Sequence, residues 1–306
     1  MSELFTISSG DLTARIDPLG AEMVSLRDAS GGEWMTDADP QYWTGHAPIL
    51  FPIVGELVGG TYRFDGQEYA LARHGFARKS MFERVDSSPR SVSFLLTDSE
   101  ATRKVYPFAF SLELLYEIED RTLRLTATVT NRGDGDMPFS IGFHPGFAWP
   151  LPAGGAKEQH RVVFSDHETG PIRRLDDKGL LRAYEDTPIH NRILRPYPGL
   201  FHADAMIWDR LSSRMLRFEG ETPESDDEDA GEEPAALELA FPDNDMLGIW
   251  QKPGANYLCL EPWSGIADPE GFDGDFREKP GIMSLAAGEA RSFRLAITIY
   301  PAEAGD

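Results

Sequence analysis

A chain of 306 residues with 41% hydrophobic content is long enough for one large domain or two small ones and can bury a substantial core. Its formal net charge of -22 argues against nucleic acid, because neutralising phosphates takes clustered Lys and Arg that the chain does not supply. Cys259 is the only cysteine, which excludes an intramolecular disulfide, sets aside a cysteine-based zinc site and fits a reducing cytoplasm.

In chain order, Glu3 and Asp11 flank a weakly apolar start with no cationic leader, so no secretion signal is expected. The stretch "ARHGFARKSMF" places His74 before Gly75 with Arg73, Arg78 and Lys79 close by, a pattern that fits either a loop histidine among surface cations or a binding cluster. Alternation with period two then dominates. Phe110, Leu112, Leu114, Tyr116 and Ile118 alternate with polar residues, and Leu123, Leu125, Ala127 and Val129 do the same, which predicts strands. The longest uncharged run, "MPFSIGFHPGFAWPLPAGGA", holds four prolines and a histidine and is a poor membrane span, so no membrane partner is expected. Residues 221–235, "ETPESDDEDAGEEPA", carry eight acids and almost nothing apolar, which predicts a solvated, flexible hairpin tip with no role beyond solubility. Leu237, Leu239 and Phe241 resume the alternation, and Phe293, Leu295, Ile297 and Ile299 close with it. With 29 glycines and 22 prolines punctuating these runs and no long amphipathic helix, the expected fold is all-β, a large antiparallel β-sandwich in a single domain over residues 1–306.

Two strand ends carry chemistry. In "NYLCLEPWSGIADP" parity sends Leu258 and Leu260 to the core, and Tyr257, Cys259 and Glu261 to the outer face beside Pro262 and Trp263, where an aromatic surface can lie against a sugar ring. In "FSIGFHPGF" parity puts Ile141 and Phe143 on one face, and Ser140, Gly142 and His144 on the other, with Gly142 leaving room above the sheet. His144 and Glu261 are thus an expected acid and base pair over a shallow pocket. The bland alternatives are a turn-capping histidine and a solvated edge glutamate. Trp149, Trp208, Trp250 and Trp263 each fit either a stacking platform or the core, and for most of them the core is the expectation.

The segments "LGAEMVSLRD", "PILFPIVGEL", "HGFAR", "IGFHPGF" and "CLEPWSGIADP", in this order and approximate spacing, resemble the aldose 1-epimerase (galactose mutarotase-like) superfamily over about residues 10 to 300. The similarity is to its branch of short bacterial proteins similar to LacX and the hexose-6-phosphate mutarotases. Resemblance implies a galactose mutarotase-like supersandwich. It implies Glu261 as the base for the anomeric hydroxyl and His144 as the acid for the ring oxygen. It further implies His74, Asp204, Arg78 and Trp263 as substrate-binding residues. Many relatives carry arginine where this chain has Glu56, a change of charge sign at a sugar contact.

The expected activity is therefore that of a cytoplasmic isomerase, monomeric or homodimeric, acting on a small-molecule monosaccharide with no metal or cofactor. Glutamate is expected to be ionised at neutral pH, and a nearby carboxylate, Glu261 or Asp204, is expected to keep His144 partly protonated. A hexose 6-phosphate held by Arg73, Arg78 and Lys79 is one alternative, which Glu56 speaks against. A non-catalytic sugar-binding protein is a second. A metal-dependent enzyme with His46, His74, His144 and Glu261 as ligands is a third.

Overall fold

The computed structural model describes residues 3–220 and 234–302. It is nearly all β, and among the described residues the only α-helix is the single turn Glu100–Arg103. The expected acidic loop falls almost entirely on residues 221–233, outside the described residues. Among the described residues no helix is long and apolar enough to cross a membrane.

Two large antiparallel sheets dominate. The larger has nine strands, with Ala290–Tyr300, Thr122–Asn131, Phe110–Glu119 and Ser91–Thr97 adjacent near its centre. The expected alternation is what builds it. Phe110, Leu112, Leu114, Tyr116 and Ile118 are all buried, whereas Glu113, Glu117 and Glu119 of the same strand are exposed. Phe293, Leu295, Ile297 and Ile299 repeat the pattern on the last strand. Each fully buried side chain of this kind contributes about 1.5–3 kcal/mol relative to exposure.

The second sheet has eight strands, running Leu181–Glu185, Ile172–Leu175, Met206–Trp208, Met246–Trp250, Tyr257–Ser264, Ile141–Phe143 and Ile49–Leu50, with Gly146–Ala148 also paired to Tyr257–Ser264. Its two faces differ. Phe51, Ile141, Phe143, Leu258 and Leu260 join one extensive apolar cluster with the strands of the nine-stranded sheet. On the opposite face Leu50, Val54, Ile207, Trp263 and Ala267 form a separate, smaller cluster, and a cleft opens there.

One buried ion pair holds the rim of that cleft. Lys279 Nζ donates to Asp268 Oδ1 at 2.7 Å and to the Ile266 carbonyl at 2.7 Å, while Asp268 Oδ2 accepts the Val58 amide at 2.9 Å. The Asp268 amide in turn donates to the Glu56 carbonyl at 2.9 Å. These bonds pin residues 266–268 against residues 56–58. Burial lowers the Lys279 pKa, and the Asp268 charge opposes that shift.

Candidate active site

The centre of the site follows from strand register. Tyr257–Ser264 is paired along one edge by two short strands. Ile141 lies opposite Ser264 and Gly142 opposite Trp263, and beyond a gap Gly146 lies opposite Cys259 and Phe147 opposite Leu258. The register is the same on both sides of the gap, so His144 falls opposite Glu261. Pro145 sits in the gap because it has no N–H for a ladder. Its carbonyl still accepts the Leu260 amide at 3.2 Å, which keeps the two halves in step. Directly opposed residues have Cβ atoms about 4.5–5.5 Å apart, within side-chain reach. His144 Nε2 and Glu261 Oε2 meet at 3.1 Å.

Both line a cleft of about 210 Å³. The outer face is not open, contrary to expectation: every residue of Tyr257–Ser264 is buried, and Glu261 is only 1% exposed. Parity assigns the face correctly but not what covers it. Trp43 and Trp250 cover it, with the Trp43 ring 5.0 Å from the His144 ring and the Trp250 ring 5.9 Å away. The room expected above Gly142 is also filled. A Cβ at Gly142 would stand 2.5 Å from Trp263 Cδ1, and one at Gly248 would stand 2.6 Å from Trp263 Cη2, so the indole lies in a slot cut by two glycines. Trp263 Nε1 is buried without a partner at the cleft.

Electrostatics reverse a second expectation. Burial pushes His144 down to about 3; Arg78 and Arg73 add to the shift, and a backbone contact of its own opposes it. Burial likewise pushes Glu261 well above the usual carboxylate range, Asp204 adds to that, and Arg73 opposes it. Desolvation outweighs the neighbouring charges and acts against both charged forms, imidazolium and carboxylate, where an ionised glutamate beside a partly protonated histidine was expected. Neutral imidazole with carboxylic acid and imidazolium with carboxylate hold the same one proton between the two groups. His144 Nδ1 and both Glu261 oxygens are buried without a well-aligned hydrogen bond, so the 3.1 Å contact leaves the pair undersatisfied.

His74 stands beside the pair, its ring 5.9 Å from that of His144 at 88°. Its backbone is left-handed, at φ 65°, and Gly75 follows at φ 71° with its Cα side pressed on Phe51, where a Cβ would meet the carbonyl oxygen at 2.2 Å. Gly75 is therefore required by both conformation and space. The Gly55 amide donates to His74 Nδ1 at 3.1 Å. Burial, followed by His144, Arg73 and Arg78, drives the His74 pKa well below its ordinary value. A neutral imidazole accepts at one nitrogen only. The fixed backbone donor claims Nδ1, so Nε2 carries the hydrogen, and the 3.3 Å approach of Arg73 Nε to Nε2 is a contact between donors rather than a bond.

Arg78 and Asp204 also line the cleft. Arg78 Nη2 donates to the Arg73 carbonyl at 2.9 Å, while its buried Nε has no partner. Arg73 Nη2 lies 3.6 Å from Asp204 Oδ2. Lys79 is exposed and outside the lining, so the expected three-cation cluster reduces to two arginines. Glu56 is outside the lining as well, with Oε1 accepting the Leu57 amide at 3.0 Å.

The expected site residues Glu261, His144, His74, Asp204, Arg78 and Trp263 thus share one cleft. Trp43 was missed as a site residue, and Trp250, left open between platform and core, lines the cleft: an indole in a sequence carries no mark of the long-range contact that decides between the two. Trp149 and Trp208 are core, as expected. The metal alternative needs correction. Among the described residues, His144, Cys259 and Glu261 form the group whose ligand atoms lie within 4.8 Å of one another, without His46 or His74. Cysteine had been set aside because there is one; strand parity puts that one on the same face as Glu261.

The family model described as aldose 1-epimerase matches residues 3–223, taking in His74, His144 and Asp204 and stopping short of Glu261. The plasmid-encoded protein LacX of Lactococcus lactis subsp. lactis is 31% identical over 284 residues, covering 90% of this chain and 92% of that protein. The chain belongs to the aldose 1-epimerase family. Solved structures of family members agree with the fold. A galactose mutarotase related enzyme from Lactobacillus acidophilus superposes with a TM-score of 0.86 at 32% identity, covering 97% of each chain. A galactose mutarotase-like protein from Lactobacillus casei does so with 0.87 at 28% identity, covering 97% of this chain and 100% of the other. Aldose 1-epimerase family membership supports an isomerase.

Proposed function

We propose that the protein interconverts the α and β anomers of an aldohexose by ring opening and reclosure, with Glu261 and His144 moving the protons. The observation that carries this is the 3.1 Å approach of two undersatisfied proton-exchanging groups at the base of one cleft. Opening a pyranose takes one proton from O1 and places one on O5. Hydroxyls of the bound sugar supply the hydrogen bonds that the Glu261 oxygens lack, which favours carboxylate and shifts the shared proton to His144. Glu261 then takes the O1 proton while His144 protonates O5, and the C1–O5 bond breaks to give the aldehyde. After rotation about C1–C2 the ring closes from its other face with the roles exchanged, so the proton count is restored. A positioned acid or base contributes about 10²–10⁴-fold each. His74 Nε2–H and Arg78 donate to the sugar, Asp204 accepts from it, and Trp43, Trp250 and Trp263 give the apolar walls.

A neutral sugar is favoured because Arg73 is already engaged by Asp204, and because Glu22 and Glu56 place negative charge near Arg78. The second reading, a hexose 6-phosphate, is favoured by the unpartnered Arg78 Nε. Magnetisation-transfer NMR on glucose, galactose and glucose 6-phosphate separates the two. Exchange at the background rate for all three, with sugar still bound, would leave a sugar-binding protein without catalysis.

A further inference from the structure

The thiol of Cys259 plays no part in that chemistry, yet it belongs to the same cluster. Cys259 and Glu261 are two residues apart on one strand and so face the same way, and His144 faces them from the neighbouring strand. Their sulfur, oxygen and nitrogen atoms all lie within 4.8 Å of one another. A tetrahedral zinc ion, with bonds of about 2.0–2.3 Å to N, O and S ligands, requires those ligands to be about 3.3–3.6 Å apart. The observed separations reach that range with side-chain movements of an ångström or so, and His144 and Glu261 are already at 3.1 Å. A second feature points to a ligand: both Glu261 oxygens are buried, at 1% residue exposure, with no well-aligned partner. Three ligands, one soft and two borderline or hard, with the fourth position toward the cleft, suit zinc or cobalt and not magnesium or calcium.

We propose that His144, Cys259 and Glu261 form a binding site for a thiophilic divalent cation, zinc foremost, and that the cation inhibits the protein reversibly by occupying the acid and base. On binding, the Sγ–H bond breaks and a metal–sulfur bond forms, and the one proton shared by His144 and Glu261 leaves as neutral imidazole and carboxylate bond to the cation, so that two protons go to solvent. The site is weaker than a resident structural zinc site for a reason visible in the fold. A metal-bound histidine normally donates its other N–H to a fixed partner, whose loss costs about 10–100-fold in affinity, and His144 Nδ1 has none. Cys259 is fully buried and does not line the cleft, so the thiolate is the ligand that a substrate cannot displace.

The inhibition part rests on the epimerase reading; the binding part does not. Cobalt chloride titrated into the purified full-length protein should give a thiolate-to-cobalt charge-transfer band that saturates at one ion per chain and is lost in Cys259→Ala. Zinc chloride should slow anomer exchange in the parent protein. The Cys259→Ala protein should keep its basal exchange and need at least ten times more zinc for the same slowing. Absence of the band in the folded parent protein, or equal zinc sensitivity with and without the thiol, overturns the site. A band in a protein that never exchanges anomers leaves the site standing and removes the epimerase reading instead.

Discussion

Two buried proton-bearing pairs, one lining the cleft and the other beside Ala267 of its wall, are built in opposite ways. In Lys279–Asp268 the ammonium has two acceptors at 2.7 Å and the carboxylate takes a backbone amide besides its counter-ion. In His144–Glu261 one contact at 3.1 Å is all the pair has, and three of its four polar atoms lie buried without an aligned partner. Both are nearly excluded from solvent. Burial alone therefore does not mark a working group. The hydrogen bonds left unmade separate the two: the satisfied pair fixes residues 266–268, and the unsatisfied pair retains capacity for a ligand.

The largest expected effects test that contrast at the reactive pair. Glu261→Gln and His144→Asn should each lower anomer exchange by about 10²–10⁴-fold while each protein keeps a cooperative urea unfolding transition. Loss of fold with loss of exchange would mean that the pair is structural after all. Next, Lys279→Met strands the Asp268 carboxylate and should cost about 3–5 kcal/mol in urea unfolding, whereas an unchanged midpoint would show the rim pair to be dispensable.

Titration sharpens the comparison further. Glu261 has a folded pKa above its unfolded value, so its contribution is present below about 4.3 and is lost as pH rises; His144 is depressed to about 3, so its contribution is present above about 6.5 and is lost as pH falls. Between those limits the two slopes oppose each other. The single variants expose them. Between pH of about 4.5 and 6.5, relative to the parent, His144→Asn should lose stability as pH rises and Glu261→Gln as pH falls, each by up to about 1.4 kcal/mol per pH unit. Parallel pH profiles for the two variants would contradict these opposite shifts. The smallest effect is expected at the slot under Trp263. Gly248→Ala places a Cβ 2.6 Å from the indole and should cost about 1–3 kcal/mol and raise KM more than it lowers kcat. An unchanged KM would remove Trp263 from the sugar's surroundings.

Much of this architecture was legible from residue order. Period-two runs such as Phe110 to Ile118 specify strands because one sheet face must meet a core, and the same parity correctly set Leu258 and Leu260 apart from Glu261. Motif resemblance brought His74, His144, Asp204 and Glu261 to one cleft. What could not be read is what lies above a face. Trp43 reaches His144 from a loop a hundred residues earlier, and Cys259 acquired carboxylate and imidazole neighbours through pairing across the sheet. The protonation of the pair was misjudged for a related reason. Nearby charges can be guessed from sequence, but the loss of water that overrides them depends on the packed shape.

The unbroken register across Pro145 has a consequence for how such a protein can diverge. Because His144 and Glu261 face each other as rungs of a ladder, their separation changes only in whole-residue jumps, and a single deletion between residues 143 and 147 would turn one of them to the opposite side of the sheet. Arg73, Asp204 and Trp43 sit on loops with no such constraint. Under the proposed reaction, substrate preference can drift through those loops while the two proton-exchanging groups stay fixed in the sheet.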